Sequence, residues 1–388
     1  MDFPSFGDAS QYLELSHACA HSISGVAGPG TGCYHPYRPI GIVLYYALPF
    51  LFTDDQVMVS YLTLLMNLLL LLLLLVSGLA LIRQFAHANR PRITRDTPVP
   101  QLDSVVFVVG TLVLSIGFLP VRLSDHQSLA LFMASVALLS ASGGQPKKST
   151  ALIAGVLAGS AVLFKQNYAV AVTFLLVSWL AVFGKKEFRL AIVPACWFAV
   201  GASFGLLQII WVYCHTGVPW LYDPVAMRAF APTNQQPAVE LVAYSIPELG
   251  SYVEQLAHPV SGFEYFATKF YLGLTKFYWS VYLGVSPADN QTPQLVSFSK
   301  LRMMMFEVVF FFTAFLSFAS LACRQRWLAV LVITAFCSTA LSVVMAHMES
   351  RYFYFLRIAY LIYAIVLVRE LLVWYARRKA VHGALTGT

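Results

Sequence analysis

Charge is what this sequence has least of. Asp, Glu, Lys and Arg make up 11% of its 388 residues, and 59% are hydrophobic. A soluble domain carries about 25% charged residues. So little polar surface cannot cover a water-soluble body of this length. The sequence also lacks any C-x-x-C pair or cysteine–histidine cluster, which excludes the common zinc and dithiol centres. Met1–Pro36 shows no basic start followed by an apolar core, so no cleavable signal peptide is read there. The net charge of +7 comes from basic residues scattered over short loops. That scatter is what membrane topology requires and not the footprint of a nucleic-acid binder.

Long apolar runs are what the sequence has instead. Several approach or exceed the roughly 18 residues that cross a bilayer. The clearest is Val57–Ile82, with an unbroken Leu68–Leu75 tract and no charge. Further spans are expected at Ser104–Leu123, Gln127–Ser142, Thr150–Phe164, Asn167–Phe183, Leu190–Tyr213, Met303–Ala322, Trp327–Ala346 and Phe353–Trp374. The predicted fold is an all-α, polytopic membrane helical bundle of about nine transmembrane helices, a single domain over 1–388. A first outer segment, 1–56, precedes six spans over 57–213. A long proline-rich outer loop, 214–302, separates these from three last spans and a tail over 303–388.

Two segments read as interfacial rather than spanning. Pro39–Thr53 is apolar but short and interrupted by Pro49. Phe263–Leu283 is aromatic but broken by Glu264, Lys269 and Lys276, which predicts an amphipathic segment on the membrane. Nine spans place the N-terminus outside and the C-terminus inside. Arg83, Arg90, Arg92 and Arg95, then Lys147 and Lys148, then Lys185, Lys186 and Arg189, and finally Arg377-Arg378-Lys379, all fall in the cytoplasm. That is the positive-inside pattern.

The same alternation gathers the polar clusters on the outer face. Asp8 with His17, His21 and His35, Asp54-Asp55, Asp125-His126, Lys165-Gln166, the long loop and His347–Tyr352 all land there. Carboxylates and isolated cations meeting at a membrane surface suggest a site for a lipid-linked anionic substrate. His17, His21 and His35 are spaced by four and fourteen, which does not match a structural zinc signature, so they read as solvated. A divalent metal is possible on this reading but not indicated. Cys19 and Cys33 can pair if they face an oxidising compartment, whereas Cys196 and Cys337 read as packing residues. Gly155 and Gly159 have the small-xxx-small spacing of closely packed helices. Asn290-Gln291-Thr292 matches a glycosylation sequon, a triplet that also arises by chance.

The order of these features resembles the GT-C class of membrane glycosyltransferases, which includes protein mannosyltransferases and the bacterial enzymes that attach aminoarabinose to lipid A. Gly7-Asp8-Ala9-Ser10-Gln11-Tyr12-Leu13 looks like the acidic motif of the first outer loop. Tyr37-Arg38-Pro39-Ile40-Gly41 is similar to the Arg-Pro opening of the short helix that follows. Gly155–Gly159 and Lys165 resemble the glycine-rich span and its basic turn, and His347-Met348-Glu349-Ser350-Arg351-Tyr352 fits a late His-x-Glu-x-Arg-Tyr turn. Members of the class begin with a transmembrane helix before the first outer loop, so an upstream start is expected.

The resemblance implies transfer of a sugar from a polyprenyl-phosphate carrier to an acceptor on a lipid, glycan or protein, with inversion, at the extracytoplasmic face of a bacterial inner membrane. The chemistry needs a base for the acceptor proton and cations for the departing phosphate. Asp8 is the candidate base, with a solvated aspartate or helix cap as the plainer reading. Asp125 can serve as a second carboxylate, or as a cap. Arg351 and Lys165 are candidates to hold the lipid phosphate, and Glu349 can orient Arg351. His347, Tyr352, Arg38 and Arg357 complete the expected substrate-binding set. The competing classes are a transporter or flippase of an anionic or lipid-linked solute, and a non-catalytic relative. A transporter would more often show an internal repeat, and none is evident.

Overall fold

The computed structural model describes residues 8–25, 32–36, 38–87, 99–115, 119, 123–142, 145–223, 281–285, 293–296, 326–345 and 353–386. These residues are helical apart from one two-stranded ladder. In chain order the helices are α1 (Asp8–Ile23), α2 (Ile40–Ala47), α3 (Gln56–His87), α4 (Val99–Ser115), α5 (Asp125–Ser140), α6 (Lys148–Phe164), α7 (Tyr168–Ala202), α8 (Leu207–Thr216), α9 (Arg326–Met345) and α10 (Tyr354–Thr386). Two stretches are long and apolar enough to cross a membrane, Gln56–Phe85 and Ala191–Thr216. Shorter apolar helices lie at Ile40–Leu51, Leu102–Ser115, Lys148–Phe164, Tyr168–Phe183 and Arg326–Ser342. The expected span Met303–Ala322 lies outside the described residues.

Two departures from the sequence reading have simple physical causes. Val281–Val285 forms β1 and pairs antiparallel with β2, Pro293–Val296, with Val281 opposite Val296 and Tyr282 opposite Leu295. The end of the predicted amphipathic segment, Val281–Leu283, is therefore strand. Its Val-Tyr-Leu-Gly-Val sequence is β-branched and aromatic and favours a pleated backbone. The rest of that segment lies outside the described residues.

The second departure is at Lys185-Lys186-Arg189, expected to be a loop, where helical backbone continues from Tyr168 to Ala202. The chain nonetheless doubles back. Trp179 and Phe198 would stand about 28 Å apart along a straight helix at 1.5 Å per residue. Their ring centroids are 6.1 Å apart. The expected reversal is therefore present as two helical limbs joined through a helical bend, of which the second begins the candidate span Ala191–Thr216.

Side-chain contacts set the direction of each neighbour. Asp103, Gly110 and Ser115 of α4 meet Arg369, Leu361 and Tyr354 of α10, so those helices are antiparallel. Asn67 and Gln84 of α3 meet Gln127 and Ser140 of α5, so those are parallel. Trp327 of α9 packs on Trp179 and Phe183 while Thr334 reaches Ser178, which makes α9 antiparallel to the first limb of α7. Asp125, Lys165, Tyr168, Ser342 and Tyr354 thus share one end of the bundle. Arg83, Lys148, Arg326 and Arg369 belong to the other end.

The N-terminal segment packs on the site end as a small satellite core. Tyr12, Cys19, Ala20, Ile42, Val43, Tyr46 and Phe50 bury one another, and Ser16 donates to the Val43 carbonyl at 3.3 Å. Cys19 and Cys33 are joined by a disulfide. Closing a loop of about 15 residues this way contributes about 3 kcal/mol in a chain-entropy account. Pro49 sits at the start of the 3-10 turn Leu48–Leu51, where α2 stops, because a proline cannot donate to a continuing helix. Cys196, read as a packing residue, is exposed on α7.

Glycine decides how closely the helices approach. A Cβ on Gly155 would collide with the Phe198 carbonyl oxygen, and one on Gly159 would sit 2.8 Å from that of Ala202. The small-xxx-small spacing read from the sequence therefore faces the second limb of α7. Gly155→Val should destabilise the protein by about 1–3 kcal/mol, the ordinary cost of overpacking, read as a lowered thermal midpoint in detergent. An unchanged midpoint would contradict this packing.

Candidate functional site

The site is assembled where α5 begins and α6 ends. Ser124 precedes α5, and Asp125 is its first residue. A carboxylate here can cap the helix or suit its dipole. Instead Asp125 turns inward, 3% exposed, and its Oδ1 accepts a hydrogen bond from Lys165 Nζ. Lys165 caps α6 in extended conformation, and its side chain is 13% exposed. The sequence put these two residues on one face but did not pair them. The pair adds a reading for Lys165 besides phosphate binding, that of counter-ion to a buried carboxylate.

A cleft opens beside the pair, lined by Asp125, Lys165, Asn167, Tyr168, Ser338, Thr339, Ser342 and Tyr354 among others. Its volume is about 30 Å³. That admits a water or two, whereas small-molecule sites run to about 300–1,000 Å³. A sugar would need movement of neighbouring segments to enter. Asp125 Oδ2 accepts no hydrogen bond among the described residues, and neither His126 Nε2 nor Gln127 Oε1 has a partner there. Such groups cost about 1–3 kcal/mol when left unsatisfied, and they cluster in the first turn of α5.

Around the pair runs a buried polar network. Tyr46 donates to the Leu123 carbonyl at 2.8 Å, and Gln127 Nε2 reaches both Tyr46 Oη and Asn67 Oδ1 at 2.8 Å. Asn67 Nδ2 donates to the Leu119 carbonyl at 2.9 Å. Tyr45 donates to Asn67 Oδ1 at 3.1 Å, and burial raises its hydroxyl well above the usual range, so it stays a donor. On the other side Tyr354 Oη bonds Ser115 Oγ and lies 3.2 Å from His126 Nδ1. The sequence reading missed Asn67, Gln127, Tyr46, Ser115 and Tyr354 as members. Asn67 carried a signal: it is the one amide in the Val57–Ile82 run, and amides are costly in hydrocarbon unless bonded.

The N-terminal segment reaches this network. Arg38 donates to Gln11 Oε1 and lies over the Tyr12 ring, 5.0 Å from its centroid. Tyr12 contacts Tyr46 at 6.1 Å. The Ile40 amide donates to Gln208 Oε1 at 2.9 Å. A Cβ on Gly41 would lie 2.7 Å from the Leu163 carbonyl oxygen, so the Arg-Pro-Ile-Gly turn docks two residues before Lys165 because it carries glycine there. Tyr34 stacks on His215 at 4.2 Å, and burial, with the Asp223 charge second, raises its hydroxyl.

Of the expected site residues, Asp125 and Lys165 are in contact, and a series of contacts from Arg38 through Tyr12 and Tyr46 ends at Gln127, two residues from Asp125. Asp8 opens α1, four residues before Tyr12. Arg357 is buried in α10, one helical turn beyond Tyr354. His347, Glu349, Arg351 and Tyr352 lie outside the described residues. Comparison with protein families, with curated proteins and with solved structures found no match in any of the three.

Removing one partner of a buried pair strands the other. Asp125→Ala or Lys165→Ala should each cost about 3–5 kcal/mol, whereas Asp125→Leu with Lys165→Met should cost far less. Thermal unfolding of wild type and these three variants in detergent reads this. Additive losses would mean that the pair is not coupled.

Proposed function

We propose that this chain is a polytopic membrane glycosyltransferase of the GT-C type, moving a sugar from a polyprenyl-phosphate carrier to an acceptor at the extracytoplasmic face, with inversion. The observation that carries the reading is the meeting of a buried carboxylate, Asp125, and a cation, Lys165, with the first outer segment at one end of the bundle. Chain-distant ionisable groups rarely gather in a bilayer-sized bundle without a functional reason.

On this reading the chain makes nine spans, N-terminus outside and C-terminus in the cytoplasm. Three observations support it. Neighbouring helices run in the directions such an alternation requires. Arg83, Lys148, Arg326 and Arg369 sit toward the end away from Asp125. The Cys19–Cys33 disulfide suits a segment outside the cytoplasm, since disulfides persist in oxidising compartments.

Roles follow from chemistry. Asp8 is the base that takes the acceptor proton, and Asp125, whose Oδ2 has no partner among the described residues, is the second carboxylate. Lys165, drawn from its ion pair, and Arg351 neutralise the phosphate as the glycosidic C–O bond to it breaks. Glu349 orients Arg351. His347, Tyr352, Arg38 and Arg357 line the carrier path. The lone pair of the acceptor oxygen attacks the anomeric carbon, its proton passes to the carboxylate, and the polyprenyl phosphate leaves with the bonding electrons.

The test is a membrane assay with a polyprenyl-phosphate sugar donor, comparing wild type with Asp8→Asn, Asp125→Asn, Lys165→Met and Arg351→Ala. Loss of a base should slow transfer by about 10²–10⁴-fold, and loss of a phosphate-binding cation should reduce kcat/KM. Equal transfer by wild type and all four variants would overturn the site.

A further inference from the structure

We propose a divalent metal site of the zinc type, separate from the Asp125–Lys165 centre, formed by His17, His21 and Asp54. His17 and His21 are one helical turn apart on α1, so their rings share a face. Asp54 comes from the turn after the 3-10 helix Leu48–Leu51. The ligand atoms of the three side chains lie within 4.8 Å of one another. His17 Nε2 and His21 Nε2 are 3.0 Å apart, and Asp54 Oδ1 is 3.8 Å from the first and 3.5 Å from the second.

Those three distances describe a coordination face. Bonds of about 2.0–2.1 Å to zinc, at tetrahedral angles, set neighbouring ligand atoms about 3.3–3.4 Å apart. The observed edges lie on both sides of that value, within a few tenths of an ångström. A proton satisfies the group less well. Two ring nitrogens facing each other share one hydrogen between them, and the carboxylate then competes for it. One cation serves all three lone pairs. Two neutral imidazoles and one carboxylate leave a zinc ion with a single net positive charge, acceptable at a site this open. Asp54 is 72% exposed and leaves the fourth position to water.

The supporting structure is already rigid. His17 packs edge-on against Phe50 at 5.0 Å. Cys19, between the two histidines on α1, is held by its disulfide to Cys33. Thr53 Oγ1 accepts from the Asp55 amide and Asp55 Oδ1 from the Val57 amide, which set the turn that carries Asp54. The ion would tie α1 to the entry of α3, as the disulfide ties it to residues 32–36. His35, which the sequence grouped with His17 and His21, is not a member.

The experiment uses the full chain in detergent, with its disulfide intact and a purification tag free of histidine. Zn²⁺ alone is titrated by calorimetry, and Co²⁺ replaces it for the tetrahedral absorption signature. One ion per chain should bind, with at least a tenfold loss of affinity in His17→Gln, His21→Gln and Asp54→Asn and none in His35→Gln. Zn²⁺ should raise the thermal midpoint of wild type but not of the three ligand variants. Asp54 is exposed and His17, His21 and His35 are partly exposed, and each replacement is polar, so a cooperative thermal transition in every variant confirms that it is folded before binding is compared. Absence of saturable binding by wild type, or binding by the ligand variants equal to wild type, would overturn the site. Glycosyl transfer plays no part in the readout, so failure here leaves the proposed activity untouched and the reverse.

Discussion

The buried ion pair between Asp125 and Lys165 is the constraint around which the site end is built. Taking two charges out of water costs several kcal/mol per ion, and their attraction repays this only in good geometry with further hydrogen bonds. Such a pair is a poor source of stability. It persists because α5 and α6 are already held together by apolar packing. The start of one helix and the end of the other bring both charged groups to the same point. A pair that costs this much and opens onto a cleft suits chemistry better than it suits folding.

What holds α6 in place is close backbone approach. Gly155 and Gly159 let α6 touch the second limb of α7, and Gly41 lets α2 touch the end of α6. Small residues at such contacts let helix backbones approach, and packing of this kind combines with interhelical hydrogen bonds to hold helices together. The Asn67–Gln127–Tyr46 group is the hydrogen-bonded half of the same device. It satisfies amides that would otherwise be stranded, and it links α2, α3 and α5.

The N-terminal segment shows how a mostly polar sequence becomes ordered beside an apolar helical bundle. Its own core is small, and clusters of this size rarely hold a fold alone. A disulfide adds one cross-link, and the His17–His21–Asp54 face offers a second. Through Tyr12 and Tyr46 the segment's position reaches the polar network at Gln127, so cross-links at its surface also bear on the site.

Much of the helical layout was legible in the residues. A run such as Val57–Ile82 reads directly as a helix long and apolar enough to cross a membrane, because a stretch of that length must be buried and its backbone groups must bond within the helix. The reversal between Asn167–Phe183 and Leu190–Tyr213 was legible too, since Lys185, Lys186 and Arg189 resist burial, although the backbone there stays helical. The gathering of Asp125 and Lys165 at one end followed from alternation alone. Their pairing did not, because alternation fixes which face a residue meets and says nothing about lateral neighbours. Nor could spacing join Asp54 to His17 and His21, which lie more than thirty positions earlier, or bring Tyr354 to Ser115. Those contacts depend on which helix packs beside which, and that is decided by glycine-sized gaps and side-chain fit in three dimensions.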